Sequence, residues 1–516
     1  MDQSPAAKRA REDAVHHGDV AADPPELHWG PDYLHRLFGC LVERVPTLHR
    51  DDLIDYLQGL HQGWGSCCSG TDAPRFIYEA IQAWARSKNM TCTFIHILSA
   101  ECDSAKQRFI QVTGQPRQLF GDLFDVCRDG AMNFITQQRE APDAANEIRV
   151  YYIGFSCKTV SGLASSHRTM NTIDDYLGTT GLTFSGLLSI LECRQPRFLL
   201  AENVAGLTVG NQHVAVEEKL SAAGYVVFSW QNTPLQFGVP QSRPRLWFLA
   251  IRVDLLDTAN VSQSSLCDLC KSMVDRLRVV GDSDEFSRVI PVEEFLFDDL
   301  DPLLVRRHAA DLARLKEWRQ ADAAPTTCDA KWRRKHSLMF SRFWAPEAHV
   351  SGWDSSLEVQ VPQYPVMPYR DRELLRLAGI NYPDKRCLLI NTSQSELQAP
   401  PFHSPCMTPT GTYWIAMKHR WLEGPEALNL QALWLSPSLR AQFSSKLLQD
   451  LAGNAFCGSC CLQATTLQLV VASFLSRCTA HAAVNRDLCF EHRLQAVEIA
   501  AVVNDDGEDE FDFGQT

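Results

Sequence analysis

Three short apolar runs, TCTFIHILSAE at 91–101, RVYYIGFSC at 149–157 and PRFLLAEN at 196–203, are separated by stretches of helical periodicity, and each gives way to a polar or reactive residue at its carboxyl end. The runs are rich in β-branched and aromatic residues and show no alternation of apolar with polar positions. They therefore suit strands covered on both faces by helices, and the alternation of strand with helix predicts a parallel α/β sheet. YVVFSW at 225–230 and RLWFLAIR at 245–252 have only a loop between them, too short for a crossover helix, and are expected to pair as an antiparallel edge. AGNAFCGSCCLQATTLQLVVASFL at 452–475 reads as a Gly-Asn turn leading into a long, nearly all-apolar helix buried against that sheet. Cys457, Cys460 and Cys461 are expected to pack there.

At 516 residues and 45% apolar content the chain exceeds one small domain. Residues 1–45, rich in Ala, Pro, His and charge, read as a disordered N-terminal tail, and PAAKRAR at 5–11 within it resembles a nuclear-import cluster. That cluster implies an importin-type receptor as a partner and the nucleus as location. The α/β pattern occupies 46–252, an irregular module with scattered Trp, Arg and Pro follows at 253–410, the pattern returns at 411–480, and 481–516 is a C-terminal extension with an acidic tail. No window approaches the roughly 18 consecutive apolar residues of a helical span, so no membrane is expected. The net charge of −13 argues against a histone-like protein held to nucleic acid by overall charge, yet leaves room for a local basic groove. MDQSPAAKRARED opens the chain without a secretory pattern, so the 18 cysteines are expected to be reduced. Cys267 and Cys270 have zinc-ligand spacing, but no second pair follows at finger distance and no metal is expected.

Ligands of an open parallel sheet bind beyond the carboxyl ends of its strands. Gly70, in GSCCSGTDAP, could let the backbone approach a ligand. Glu101 could accept both hydrogen bonds of a ribose diol, or be an ordinary strand-end carboxylate, and Asp122 ends the third strand. Cys157 ends the fourth, where a thiol facing the crevice can be a nucleophile instead of a buried filler. Glu202, on the fifth, could carry a raised pKa and donate a proton, or simply cap the strand in solvent. In QSRPR at 241–245, one of Arg243 and Arg245 could face the site while the other grips a phosphate.

In order and spacing these pieces resemble the cytosine-C5 DNA methyltransferases: SGT at 69–71, Glu101, Asp122, Cys157 with Ser161 four positions on, ENV at 202–204, QSRPR, a variable region, RWLEGPEALNLQALW and LAGNAF. The resemblance covers roughly residues 60–475 apart from the variable region. It implies a class I S-adenosylmethionine-dependent methyltransferase fold, a mostly parallel seven-stranded sheet with an antiparallel edge strand, plus a smaller irregular target-recognition domain at 253–410 that faces the DNA major groove. By the same carry-over Cys68, Ser69, Gly70 and Thr71 line the methionine and ribose side of S-adenosylmethionine, Glu101 holds the ribose with Cys102 beside it, Asp122 and Leu123 meet the adenine, and Asn454 closes the pocket, with S-adenosylhomocysteine as product. Cys157 would add to C6 of a flipped-out cytosine, Glu202 would hold N3 and the exocyclic amine, and Arg245 would bind O2. Arg243, grouped with these catalytic residues, would support the loop or a phosphate.

The chain departs from the family at Ser156, where Pro usually precedes the nucleophile, at Lys158, where Gln or Asn is usual, and at Asp72, Ala73 and Pro74, where further glycines are common. Double-stranded DNA is the implied partner. A tRNA cytosine-5 methyltransferase, or a non-catalytic relative that binds cofactor or nucleic acid, fits the same motifs.

Overall fold

The computed structural model describes residues 29–505 apart from 69, 144–146, 159–172, 175–177, 281–288, 307–370 and scattered positions between 372 and 402; beyond residue 483 only the backbone path is described. Its centre is a seven-stranded sheet built from β1 (His61–Cys67), β2 (Thr93–Ala100), β3 (Gln118–Phe120), β4 (Ile148–Ile153), β5 (Phe198–Val204), β6 (Tyr225–Asn232) and β7 (Arg245–Arg252), in the order β3-β2-β1-β4-β5-β7-β6. β1 pairs in parallel with β2 and β4, and β4 with β5, whereas β7 is antiparallel to both of its neighbours. The reversed strand is therefore not the edge strand: it is inserted between β5 and β6. The 12-residue link from Asn232 to Arg245 turns the chain back through one short 3-10 turn (Pro234–Phe237) and no crossover helix, and β7 returns on the inner side of β6.

Successive residues of the buried strands sort onto two faces. Trp64, Val150, Tyr152, Leu200, Trp247 and Leu249 join one core with α1 (Tyr33–Arg44), α2 (Thr47–Leu57), α3 (Ala73–Ser87) and the C-terminal helix, whereas Cys67, Tyr151, Ile153, Leu199, Ala201 and Phe248 join the other with α5 (Thr179–Arg194) and α6 (Gln212–Ala222). Between β2 and β3 lies α4 (Ser104–Thr113). The C-terminal helix, α10 (Gly458–Asp505), is long and apolar enough over Gly458–Ala483 to cross a membrane, but 94% of its most apolar window is buried inside the fold. Two of its buried polar groups tie it to the sheet: the Gln463 carbonyl accepts from Trp230 Nε1 at 3.1 Å and Asn232 Nδ2 at 2.8 Å, and Thr465 Oγ1 lies 3.0 Å from the Tyr152 hydroxyl.

Four expectations need correction. The tail ends before residue 45, because Leu34, Leu37, Phe38 and Leu41 form one apolar stripe of α1 and are buried in the main core. The α/β domain does not stop at 252: α7 (Val253–Ala259) and α8 (Gln263–Arg276) bury Leu256, Leu266, Cys270 and Met273 in that same core. Nor does a separate extension begin at 481, since α10 continues through it. Not every thiol is free: Cys127 and Cys193 form a disulfide with Cα atoms 6.0 Å apart, tying the turn Leu123–Cys127 to the last turn of α5. Among the described residues no group of three or more His, Cys, Asp or Glu side chains could hold a metal ion, and Cys457, Cys460 and Cys461 are buried. The basic cluster at 5–11, Ser69, Ser161 and the acidic tail from 506 lie outside the described residues.

Leu467, wholly buried on α10, and Leu48, 59% exposed on α2, test this arrangement. Leu467→Ala is expected to cost about 2–5 kcal/mol in urea unfolding, whereas Leu48→Ala stays within about 0.5 kcal/mol of the parent.

Candidate active site

Strand register builds the site. Cys67 pairs with Ala100 on one side and Ile153 on the other, Ala100 with Phe120, and Ile153 with Ala201. The next residues, Cys68, Glu101, Gly121, Gly154 and Glu202, thus form one row across the carboxyl ends of five strands. β7, running the other way, brings its first residue to the same end, with Arg245 opposite Val204.

Arg245 Nε lies 2.8 Å from Glu202 Oε1, with both side chains largely buried. Burial raises the Glu202 carboxyl above the usual carboxylate range against the pull of Arg245 and Arg243. Cys157 stands four residues beyond β4. Burial and then the Glu202 charge raise its thiol, with Arg245 and Arg243 pulling it down. The loop that carries it is held at both sides: the Ser156 amide donates to Thr183 Oγ1 of α5 at 2.9 Å, and Asn203 Nδ2 donates to the Phe155 carbonyl at 3.0 Å. Lys158 is exposed.

Arg243 does different work from its neighbour. It is only 3% exposed and donates to the carbonyls of Met407 at 2.9 Å, Gly453 at 3.1 Å and Ala455 at 2.9 Å. It is a clamp between two distant segments, not a group aimed beside Cys157. Gln241 is likewise structural, donating to the Leu430 carbonyl at 2.8 Å and accepting from Gln431 at 3.1 Å, so the RWLEGPEALNLQALW segment locks the start of QSRPR.

At the other end of the row, Cys68 and Gly70 have left-handed backbone (φ 55° and 65°), and a methyl group on Gly70 would lie 3.5 Å from Asn454 Cβ. The turn after β1 and the end of α9 (Ser445–Asn454) therefore face each other, and Lys106 of α4 pairs with Asp450 at 3.0 Å across the same seam. The Asn454 amide donates to Asp450. Glu101 accepts from the Asp103 amide at 2.9 Å, and burial raises its carboxyl in spite of that bond and of Lys106. Thr71 is buried and Cys102 exposed beside Glu101. Asp122 caps the turn Leu123–Cys127 by accepting from the Phe124 amide at 2.8 Å, while the Leu123 side chain is packed on α5, where a methyl on Gly186 would overlap it.

Sequence reading missed Cys406. Its sulfur lies 3.6 Å from Arg243 Nη1 and 3.8 Å from Arg245 Nη2. Burial works against its ionisation, but the two guanidiniums outweigh it and hold the thiol below the ordinary value. No sequence signal points to it, since it stands in the irregular stretch SPCMTPT among 18 cysteines. The two thiols of the site are thus displaced in opposite directions. In a pH series of iodoacetamide labelling read by peptide mass spectrometry, Cys406 is expected to reach half-maximal rate below the pH of a free cysteine and Cys157 above it; the reverse order would refute this electrostatic picture.

A family model described as C-5 cytosine-specific DNA methylase matches residues 128–286, a span that contains Cys157, Glu202, Arg243 and Arg245. The chain is 25% identical over 446 residues to a DNA (cytosine-5-)-methyltransferase DMT5 of Cryptococcus neoformans, a match covering 82% of this chain and 17% of that protein. It is 23% identical over 284 residues to the type II methyltransferase M.HaeII of Haemophilus aegyptius, covering 52% of this chain and 78% of the other. The chain thus spans about a fifth or less of the length of the DMT5 relatives it matches. Among solved structures, the Dnmt2 methyltransferase of S. pombe aligns over 80% of this chain and 98% of its own, with 11% identity and a TM-score of 0.37.

Proposed function

For a chain that belongs to the C-5 cytosine-specific DNA methylase family, we propose the transfer of a methyl group from S-adenosylmethionine to C5 of cytosine in double-stranded DNA. The observation that carries this reading is the assembly of Cys157 with the Glu202–Arg245 ion pair at the carboxyl end of the sheet. The residues at the other end of the row fit the cofactor: a backbone turn with no side chain at Gly70, a buried carboxylate at Glu101, and Asn454 opposite the turn. The turn 68–71, Glu101, Asp122 and Asn454 would hold it. When bound, S-adenosylmethionine supplies the electrophilic methyl group.

The chain's own residues supply the rest. Cytosine C5 is a poor nucleophile, so the Cys157 thiolate adds to C6, forming the S–C6 bond and pushing electrons toward C5, while Glu202 gives a proton to N3 and Arg245 holds O2. After methylation a base removes the C5 proton, Glu202 takes back the N3 proton, and the S–C6 bond breaks, returning the thiolate. Because C6 is inaccessible in a duplex, the base must be extruded, at a cost of a few kcal/mol.

The active form carries one proton on Glu202 and none on Cys157, the same proton count as the resting pair of thiol and carboxylate. Activity is therefore expected to rise with pH as the pair loses its first proton, above the ordinary carboxylate range, and to fall as it loses the second, above the ordinary thiol value. Glu202→Gln should abolish the alkaline fall and cut kcat by about a hundredfold.

The decisive experiment incubates the protein with labelled S-adenosylmethionine and unmethylated duplex DNA, and in parallel with tRNA, using Cys157→Ala as control and mass spectrometry of the nucleosides. 5-Methylcytosine in DNA that disappears in the variant is the expected result. Label in tRNA alone would move the substrate to RNA, and cofactor binding without label would favour a non-catalytic relative. The cluster PAAKRAR at 5–11 supports nuclear import by an importin-type receptor; a fluorescent fusion should lose nuclear accumulation when Lys8, Arg9 and Arg11 are replaced by Ala.

A further inference from the structure

Where the family commonly has glycine after the cofactor turn, this chain has Asp72, and the structure gives it a definite job. Asp72 is left-handed (φ 55°), the third such residue after Cys68 and Gly70, and its side chain is completely buried beneath the turn. Its carboxylate accepts from Ser66 Oγ of β1, from Ser99 Oγ of β2 at 2.6 Å, and lies 3.1 Å from His96 Nε2 of β2. Ser66 and Ser99 are register partners in the β1–β2 pair, so one carboxylate spans both strands. His96 is fixed in turn: its ring stacks on Trp64 with centroids 3.8 Å apart, Nε2 lies 2.8 Å from Ser99 Oγ, and Nδ1 lies 3.3 Å from the Gly114 carbonyl.

A buried carboxylate loses its hydration, and a non-glycine residue at positive φ adds strain; a turn with both persists only where donors over-determine it. Here they converge from two strands. Such a network contributes little net stability but favours the arrangement in which all three partners reach the carboxylate.

We propose that Asp72 is a positioning residue for S-adenosylmethionine: its carboxylate, tied to Ser66, Ser99 and His96, holds the backbone of Cys68, Gly70 and Thr71 in the shape that receives the cofactor. Conformational freedom that extra glycines would leave in this turn is replaced by a polar anchor below it. The proposal rests on the cofactor reading given above.

The test is calorimetric binding of S-adenosylmethionine to the full chain, with steady-state kinetics and hydrogen exchange of the cofactor-free protein over 66–74. Asp72→Ala is expected to weaken binding at least tenfold and raise the KM for S-adenosylmethionine in parallel, while kcat at saturating cofactor and the KM for DNA stay within threefold; amide protection over the turn should fall before any cofactor is added. Asp72→Asn, which keeps an acceptor oxygen for one serine, should recover part of the affinity, and Ser99→Ala should weaken binding about threefold. If Asp72→Ala fails to fold, Ser66→Ala and Ser99→Ala carry the test. Folded variants that bind as tightly as the parent overturn the role of Asp72 and leave the function standing. A parent protein that does not bind S-adenosylmethionine overturns the cofactor reading, and this inference with it.

Discussion

The site depends on the reversal of one strand. Had β7 run parallel to its neighbours, its first residue would lie at the other end of β5, beside Phe198 and four residues of strand from Glu202. Antiparallel pairing sets Arg245 opposite Val204 and Trp247 opposite Glu202, and the guanidinium reaches the carboxylate at 2.8 Å. Burial raises the Glu202 carboxyl and Arg245 pulls against it, so the reversed strand supplies the main counterweight to that burial.

Around that pair the charges are nearly balanced. Two guanidiniums, of Arg243 and Arg245, meet one carboxylate and one thiol that they favour as thiolate, Cys406. Burying this group would be costly without many hydrogen bonds, and the three carbonyls that accept from Arg243 supply them. Much of the polar apparatus is therefore scaffolding. Arg243, Gln241 and Asn203 shape loops, and fewer groups remain to touch a substrate than the motif alone suggests.

The sheet and two of its strand-end residues were legible because each doubly covered strand is a continuous apolar run that stops at a polar residue, Glu101 and Glu202 among them; Cys157, expected to end the fourth strand, stands instead in the loop four residues beyond Ile153. The pairing of β6 with β7 was legible from the shortness of their link, though not the insertion of β7 between β5 and β6, which is a tertiary choice. Helix α1 was obscured by its neighbourhood, a stripe of apolar residues abutting a Pro- and charge-rich stretch, and α7 and α8 by the irregular segment that follows them. The partners of Arg243 were out of reach, since backbone carbonyls leave no mark on a sequence. The Asp72 network was hidden for a similar reason. Its serines and histidine sit inside strands, where they read as interruptions of an apolar pattern and not as donors converging on one carboxylate.

The clamp at Arg243 also bears on how such a chain can be made. Its acceptors at Gly453 and Ala455 lie 210 and 212 residues later in the sequence, and Trp230 and Asn232 wait equally long for Gln463. Contacts of this separation form slowly, because the loop must close before the contact rewards it. During synthesis the segments bearing Cys157, Glu202 and Arg245 emerge well before α10, which joins α1, α2 and α3 on one face of their sheet. Until residues 407–455 arrive the Arg243 donors must be met by water, and until α10 follows them the core it shares with α1–α3 is incomplete, so segments made long after the paired strands complete the candidate site.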